Sequence, residues 1–397
     1  MVDEQPKKRA LKRIFEFFCA ALDRPALQAV WLAIAALAAY SNTIFAGVSP
    51  EETKITDGSF RPLAAFSYYL MGDAAFVNHF FNLILYVGAC IAAWWVLRLL
   101  FRGGLIPFFA GLIFAVHPVH ADAVASVSGR SDLMSGLFVL IAWALYILGR
   151  SRQTASGGKL PLYHTITGCA MFLLALLSSP NAWTFLLLAA GAEILKSLPA
   201  GKFDFKSVYK LLLPYLAVLA AFMVTRLLVT GDIEGAPSPA SDNPLTQSGL
   251  LTRFATSLIF AGQALIVLIA PIRLSLAGGY AQTSPVSIVS PAGLTAVLLS
   301  AVALFALYFA ARKWKISGFA GLFFFAAYIP VSNIIYTVQY AFAERYLFLA
   351  ALFPAIVFGG TLDFLRTEKT RTSVIVALIV LLLFFAALSF TRNFSYF

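Results

Sequence analysis

The chain has 397 residues, 60% of them hydrophobic and only 12% charged, with a mean hydropathy of +0.85 and a formal net charge of +11. No soluble core hides that much apolar surface, so the composition excludes a soluble globular protein and predicts an all-α, polytopic membrane protein. The basic excess excludes a nucleic-acid partner as well, because its cations recur between apolar runs instead of gathering on one face.

Residues 1–26 form a basic N-terminus carrying Lys7, Lys8, Arg9, Lys12, Arg13 and Arg24. The first apolar run is followed by no small-residue cleavage site, so no cleavable signal is expected. Apolar runs then suit spans near 27–46, 78–100, 104–117, 132–149, 162–178, 181–196, 209–229, 291–311, 317–335, 346–364 and 372–390, about eleven crossings of a multi-pass domain over 27–390. The run near 253–272 is left over. Counting it as a crossing would move a basic cluster to the wrong side, so it reads as a re-entrant or non-spanning segment with Ala261-Gly262-Gln263 as the candidate break, the alternative being a twelfth ordinary span. Cys19, Cys90 and Cys169 read as small buried hydrophobes.

The connections alternate in charge. Arg98, Arg102, Arg150, Arg152, Lys159, Lys196, Lys202, Lys206, Lys210, Arg312, Lys313, Lys315, Arg366, Lys369 and Arg371 mark the cytoplasmic side with the N-terminus. The opposite connections hold Glu51, Glu52, Asp57, Asp73, Asp122, Asp132, Asp232, Glu234, Asp242 and Glu344. Outer loops are expected at 47–77, 117–131 and 230–252, and the tail at 391–397 falls outside. The membrane expected is a bacterial inner membrane, or the endoplasmic reticulum membrane if the source is a eukaryote.

The most informative stretch runs from His117 to Asp132. His117, His120, Asp122, Arg130 and Asp132 sit between two apolar runs, where ionisable groups at membrane depth mark a functional site. Pro118 suits a first helical position and Gly129 a position just past a helix end, so a short helix of roughly ten residues is expected between them.

This run resembles the HPxHxEAVxxxxGRxD element of the transmembrane, TPR-containing O-mannosyltransferases and their prokaryotic relatives, within the GT-C glycosyltransferases. Asp122 stands where that element has Glu. Arg61-Pro62-Leu63 resembles the RPL that closes the family's first outer loop, and Asn78-His79-Phe80-Phe81-Asn82 its H-xx-N. Asn243-Pro244, Arg253, Thr256 and Pro271 with Leu274 resemble a spaced NP…R…T…P..L pattern. Pro330-Val331-Ser332-Asn333, Ala343-Glu344-Arg345-Tyr346-Leu347 and Arg392-Asn393 complete a collinear series over the membrane region. Glu51-Glu52 stand where the family has an Asp-Asp pair. Ser179-Pro180 replace a Lys-Glu pair, and the TPR array is absent.

The resemblance implies a GT-C bundle, a polyprenyl-phosphate sugar as donor, a protein or other hydroxyl as acceptor, and transfer on the non-cytoplasmic face. Mannose is the sugar it favours. A base must take the acceptor's proton, and cations must stabilise the departing lipid phosphate. Glu51 or Glu52 fills the first role, with Asp57 as competitor, and Asp122 is the second catalytic carboxylate. The alternative for Asp122 is a helix-surface acid paired with Arg130 or Arg61. Arg61, Arg130, Arg226, Arg253 and Arg345 are the outer arginines whose guanidinium forks suit phosphate oxygens. Glu344 pairs with Arg345 in the competing, structural reading of that dipeptide. His117 and His120 are read as hydrogen bonding to phosphate or carboxylate, since a zinc site there lacks a third nitrogen or thiolate. No cofactor is firmly implied, although the carboxylates of the two loops are compatible with a divalent cation. The alternative function is a non-catalytic relative, or a transporter or flippase of lipid-linked sugar.

Overall fold

A computed structural model of the chain describes residues 24–47, 60–101, 105–155, 161–197, 205–231, 241–272, 274, 284–364 and 368–396. Among them are fourteen α-helices joined by short 3-10 turns, and no strand. In chain order the helices are α1 (Pro25–Tyr40), α2 (Pro62–Met71), α3 (Ala75–Phe101), α4 (Leu105–Val116), α5 (Ala121–Ala125), α6 (Arg130–Ala155) and α7 (Leu162–Ser178). Then follow α8 (Thr184–Ser197), α9 (Phe205–Thr230), α10 (Leu250–Ile269), α11 (Pro291–Lys313), α12 (Lys315–Tyr328), α13 (Leu352–Gly360) and α14 (Glu368–Asn393). Proline opens α1, α2 and α11, where its missing N–H loses no helical bond.

Seven of these are long and apolar enough to cross a membrane: α1 with the turn after it, α3, α6, α9, α10, α11 and α14. An eighth candidate is α4 together with Pro118–Ala125, bent by 46°. Helix α3 packs on α1, α4 and α6; α6 on α7; and α12 on α8, α11 and α13. Tyr86, Phe114, Trp143 and Phe323 fill the interior between them. Helix α11 lies outermost, with Gly293 its one buried residue.

Several segments differ from the sequence expectation: of the eleven crossings expected, those at 162–178, 317–335 and 346–364 fall on helices of 17, 14 and 9 residues, α7, α12 and α13, too short to count among the candidate spans. The run near 253–272 is not broken at Ala261-Gly262-Gln263; α10 continues unbroken from Leu250 to Ile269. A single glycine weakens a helix by only about 1 kcal/mol, and Thr256, Phe260, Ala264 and Leu268 bury one continuous stripe at four-residue spacing. By length and composition it qualifies as a span. The run at 181–196 instead yields α8, only 14 residues long, or roughly 21 Å of helix at 1.5 Å per residue.

Candidate active site

The ten-residue helix expected from Pro118 to Gly129 is three pieces: a 3-10 turn over Pro118–His120, the five-residue α5, and a 3-10 turn over Val127–Gly129. Ser126 is extended between the last two, with φ −85° and ψ 133°. Gly129 does not terminate a helix in the left-handed region. It lies so close to Ala123 that a Cβ would meet that residue's carbonyl oxygen at 2.4 Å. The folded-back run sends its charged side chains in different directions.

Asp122 is buried, with 1% of its surface exposed. Its Oδ2 accepts from both the backbone N–H and the Nε of Arg345, each at 3.2 Å. Arg345 also donates through Nη1 to Ser128 Oγ at 2.8 Å. Burial works against the Arg345 charge, but Asp122 and then Asp132 outweigh it and raise its pKa above the ordinary guanidinium value. The partner of Asp122 is therefore Arg345, not Arg130 or Arg61. Its Oδ1 is buried and has no hydrogen-bond partner among the described residues. Glu344 does not pair with its neighbour either. It reaches Arg392 on α14, with Arg392 Nη2 donating to Glu344 Oε2 at 2.7 Å.

Several residues expected to grip substrate have hydrogen-bond partners within the fold. Arg130 donates through Nε to Asn82 Oδ1 at 2.9 Å and through Nη2 to Asn78 Oδ1 at 2.6 Å, and its guanidinium lies 4.7 Å from the centre of the Tyr68 ring. Arg253 donates to the carbonyls of Asn333 and Ile334, at 2.6 and 3.2 Å. His117 accepts at Nδ1 from the Val119 N–H at 3.2 Å, and its Nε2 lies 2.8 Å from the Leu268 carbonyl at the end of α10. With both nitrogens engaged, it offers no lone pair to zinc. His120 is ringed by Phe114, Tyr86 and Phe348, at centroid distances of 4.6, 5.5 and 4.9 Å. Arg226 is buried near Tyr336. Among the described residues no group of three or more His, Cys, Asp or Glu gathers to hold a metal ion.

Glu51, Glu52 and Asp57 lie outside the described residues, but both ends of their loop are fixed. The Gly47 carbonyl lies 3.3 Å from His79 Nε2. One turn further along α3, Asn82 donates to the Ser126 carbonyl at 3.0 Å. At the other end Arg61 donates to Ser131 Oγ at 3.3 Å. Tyr68, on the helix that Arg61 precedes, donates to the Val127 carbonyl at 3.1 Å, and burial pushes its hydroxyl up to about 12. Both described flanks of the first loop thus stand on the wall that carries Asp122.

Sequence reasoning missed two features and gave a third, Asp132, no role of its own. Arg392 was noted only as part of a terminal motif, although a cation just past an apolar run can answer an acid elsewhere. Asp132 faces Arg61 and Arg345 and makes no hydrogen bond among the described residues. Asp132 and Arg345 line a cavity of about 400 Å³, including its mouth, with Ser135, Ser179, Asn181 and Thr184. Tyr336 donates to Asn181 Oδ1 at 2.6 Å and accepts from Trp183 Nε1 at 3.2 Å. Burial pushes the Tyr336 hydroxyl up to about 12, so it stays a donor.

The bundle and this carboxylate–guanidinium cluster define a polytopic membrane protein with the GT-C fold. Its fold is that of the archaeal oligosaccharyltransferase AglB from Archaeoglobus fulgidus, solved with an inhibitory peptide and a dolichol-phosphate, at a TM-score of 0.53 and 10% identity over 93% of this chain and 56% of that one. An A. fulgidus oligosaccharyltransferase solved with Zn and sulfate gives a TM-score of 0.50 at 12% identity, over 92% and 53% of the two chains.

In sequence the chain is similar to proteins named protein O-mannosyl-transferases. It is 26% identical to F38B6.6 of Caenorhabditis elegans over 316 residues, 76% of this chain and 42% of that protein. It is 32% identical to Tmtc2 of Drosophila melanogaster over 239 residues, 57% of this chain and 25% of that protein. The chain thus spans less than half the length of these relatives. No family model matches it.

Proposed function

We propose that the chain is a membrane glycosyltransferase that moves a sugar, mannose by its resemblance, from a polyprenyl-phosphate donor to a protein hydroxyl on the non-cytoplasmic face. The names of its relatives and the fold of its structural neighbours support the reaction class. The observation that carries the reading is the anchoring of the first outer loop. His79 meets Gly47 on one flank and Ser131 meets Arg61 on the other, so both described flanks of the segment that carries Glu51 and Glu52 stand on the wall that carries Asp122.

Glu51 or Glu52 takes the proton of the acceptor hydroxyl as its oxygen bonds to the anomeric carbon. The bond from that carbon to the donor phosphate breaks, and its electron pair leaves with the lipid phosphate. Arg61, beside Ser131, offsets the developing charge, which arginine does well through paired donors. Asp122 keeps one oxygen on Arg345 and turns the other to the acceptor, holding it in line. The same carboxylates form an oxygen set that a divalent cation accepts, and no step above is routed through one.

The test is the full chain in bilayer nanodiscs with a polyprenyl-phosphate mannose and an acceptor peptide. Mannosylated peptide and released lipid phosphate are expected in equal amounts. Passage of intact lipid-linked sugar across vesicles, unaffected by Glu51→Gln with Glu52→Gln and without phosphate release, replaces this reading with transport.

A further inference from the structure

The cavity lined by Asp132, Ser179, Asn181 and Arg345 is not used by the steps above. Its polar edge is unsatisfied in a particular way. Asp132 stands on the first turn of α6 and makes no hydrogen bond among the described residues, although Arg61 and Arg345 both act on it through space. Ser179 is 1% exposed and its hydroxyl is buried without a partner among the described residues. Asn181 is turned by Tyr336, which donates to its Oδ1, so the two Nδ2 hydrogens are left for something else. The Trp183–Tyr336–Asn181 relay fixes that orientation before anything binds. The lining also includes apolar residues, Ala327, Val331, Phe348 and Leu349 among them.

A carboxylate acceptor, an amide donor and a hydroxyl set among apolar side chains suit a polyol, which presents hydroxyls and C–H surface together. A phosphate fits poorly, because Asp132 repels it and one arginine at the edge is already engaged by Asp122. We propose that this cavity is a sugar-hydroxyl subsite, in which Asp132 accepts from hydroxyls of the lipid-linked sugar while Asn181 and Ser179 complete the set. Asp132 and Asn181 are specificity-determining residues, and the lipid phosphate lies outside the cavity.

The proposal rests on the glycosyltransferase reading for its ligand, and the test separates the two. Binding of polyprenyl-phosphate mannose and of bare polyprenyl phosphate is measured on the full chain in nanodiscs, beside transfer to peptide. Wild type should prefer the sugar-bearing lipid. Asp132→Asn and Asn181→Leu should each lose about ten- to a hundred-fold of that preference, the worth of a hydrogen bond to a charged group or of an orphaned donor. Affinity for bare polyprenyl phosphate should not change, which also certifies that the variants are folded. Ser179→Ala, a smaller truncation, should lose a few-fold and guards against misfolding of the others. Variants that keep the wild-type preference overturn the subsite and leave the transfer reading standing. Preference lost in the variants, in a wild type that transfers no sugar, keeps the subsite and removes the transfer reading. A wild type that binds both lipids equally overturns the subsite, whatever it transfers.

Discussion

Asp122 and Arg345, 223 residues apart in the chain, meet at a single oxygen: the backbone amide and the side-chain Nε of Arg345 both donate to Asp122 Oδ2. One donor belongs to the main chain, so the contact positions the turn around Arg345 as well as its side chain. The second carboxylate oxygen is left over. The pair therefore fixes two segments against each other while keeping one acceptor unspent.

Removing one member of a buried pair leaves the other charge uncompensated and typically destabilises by about 3–5 kcal/mol. Asp122→Asn should lower the Tm of the detergent-solubilised protein, softened by Asp132 on the far side of Arg345. A double-mutant cycle with Arg345→Gln should give a coupling of about 1–3 kcal/mol. Additive losses would mean that the pair is not energetically joined.

Glu51→Gln with Glu52→Gln should cut transfer about 100- to 10,000-fold, the usual worth of a general base. Donor binding should persist. Initial rates and a lipid-binding isotherm on one preparation check both halves, and normal turnover removes these residues from the chemistry.

Arg130→Lys keeps the charge and loses the fork that spans Asn78 and Asn82. It should destabilise by about 1–3 kcal/mol, because neutral acceptors lose their donors in a buried place. Activity per folded molecule should stay near wild type. A specific activity that collapses while Tm holds would return Arg130 to the substrate.

Gly129→Ala adds a methyl group at 2.4 Å from the Ala123 carbonyl oxygen and 2.7 Å from its Cα. Backbone cannot rotate away as a side chain can, so a loss of about 1–3 kcal/mol is expected from overpacking. Thermal unfolding of the single variant settles it.

Helix α10 is long enough to cross, yet the alternation of basic and acidic connections keeps it on one side and so predicts opposite exposure of position 241, before Asn243, and position 313, at the end of α11. Single cysteines there, in a chain freed of its own three, should react with impermeant reagents from opposite sides of a vesicle. Labelling from one side would require the spans to be redrawn.

Much of the frame was legible because apolar runs and charge alternation are local signals. The bundle and most helices follow from them, and the His117–Asp132 run stood out by its charges alone. The partners did not. Nothing in the order of residues says that Arg345 leaves Glu344 to pair with Asp122, or that Glu344 turns to Arg392, since neighbours in sequence point to different faces of a turn. Asn243 and Asn333 were each read as fragments of separate motifs, yet Asn243 Nδ2 donates to Asn333 Oδ1 at 2.8 Å. Asn333 itself sits at φ +62°, a backbone state that asparagine tolerates and that no spacing rule announces. The unbroken α10 was misread because a glycine beside a glutamine looks like punctuation, while the buried stripe on either side outweighs it.

Glu344 and Arg345 occupy one 3-10 turn, and they hold α14 on one side and α5 on the other. A tilt of α14 has only one peptide unit to cross before it reaches Asp122. A long apolar helix adjusts its tilt to the thickness of the bilayer around it. A change of bilayer thickness that tilts α14 should therefore reach Asp122 through these two contacts, and transfer measured in bilayers of graded acyl-chain length should peak at one thickness.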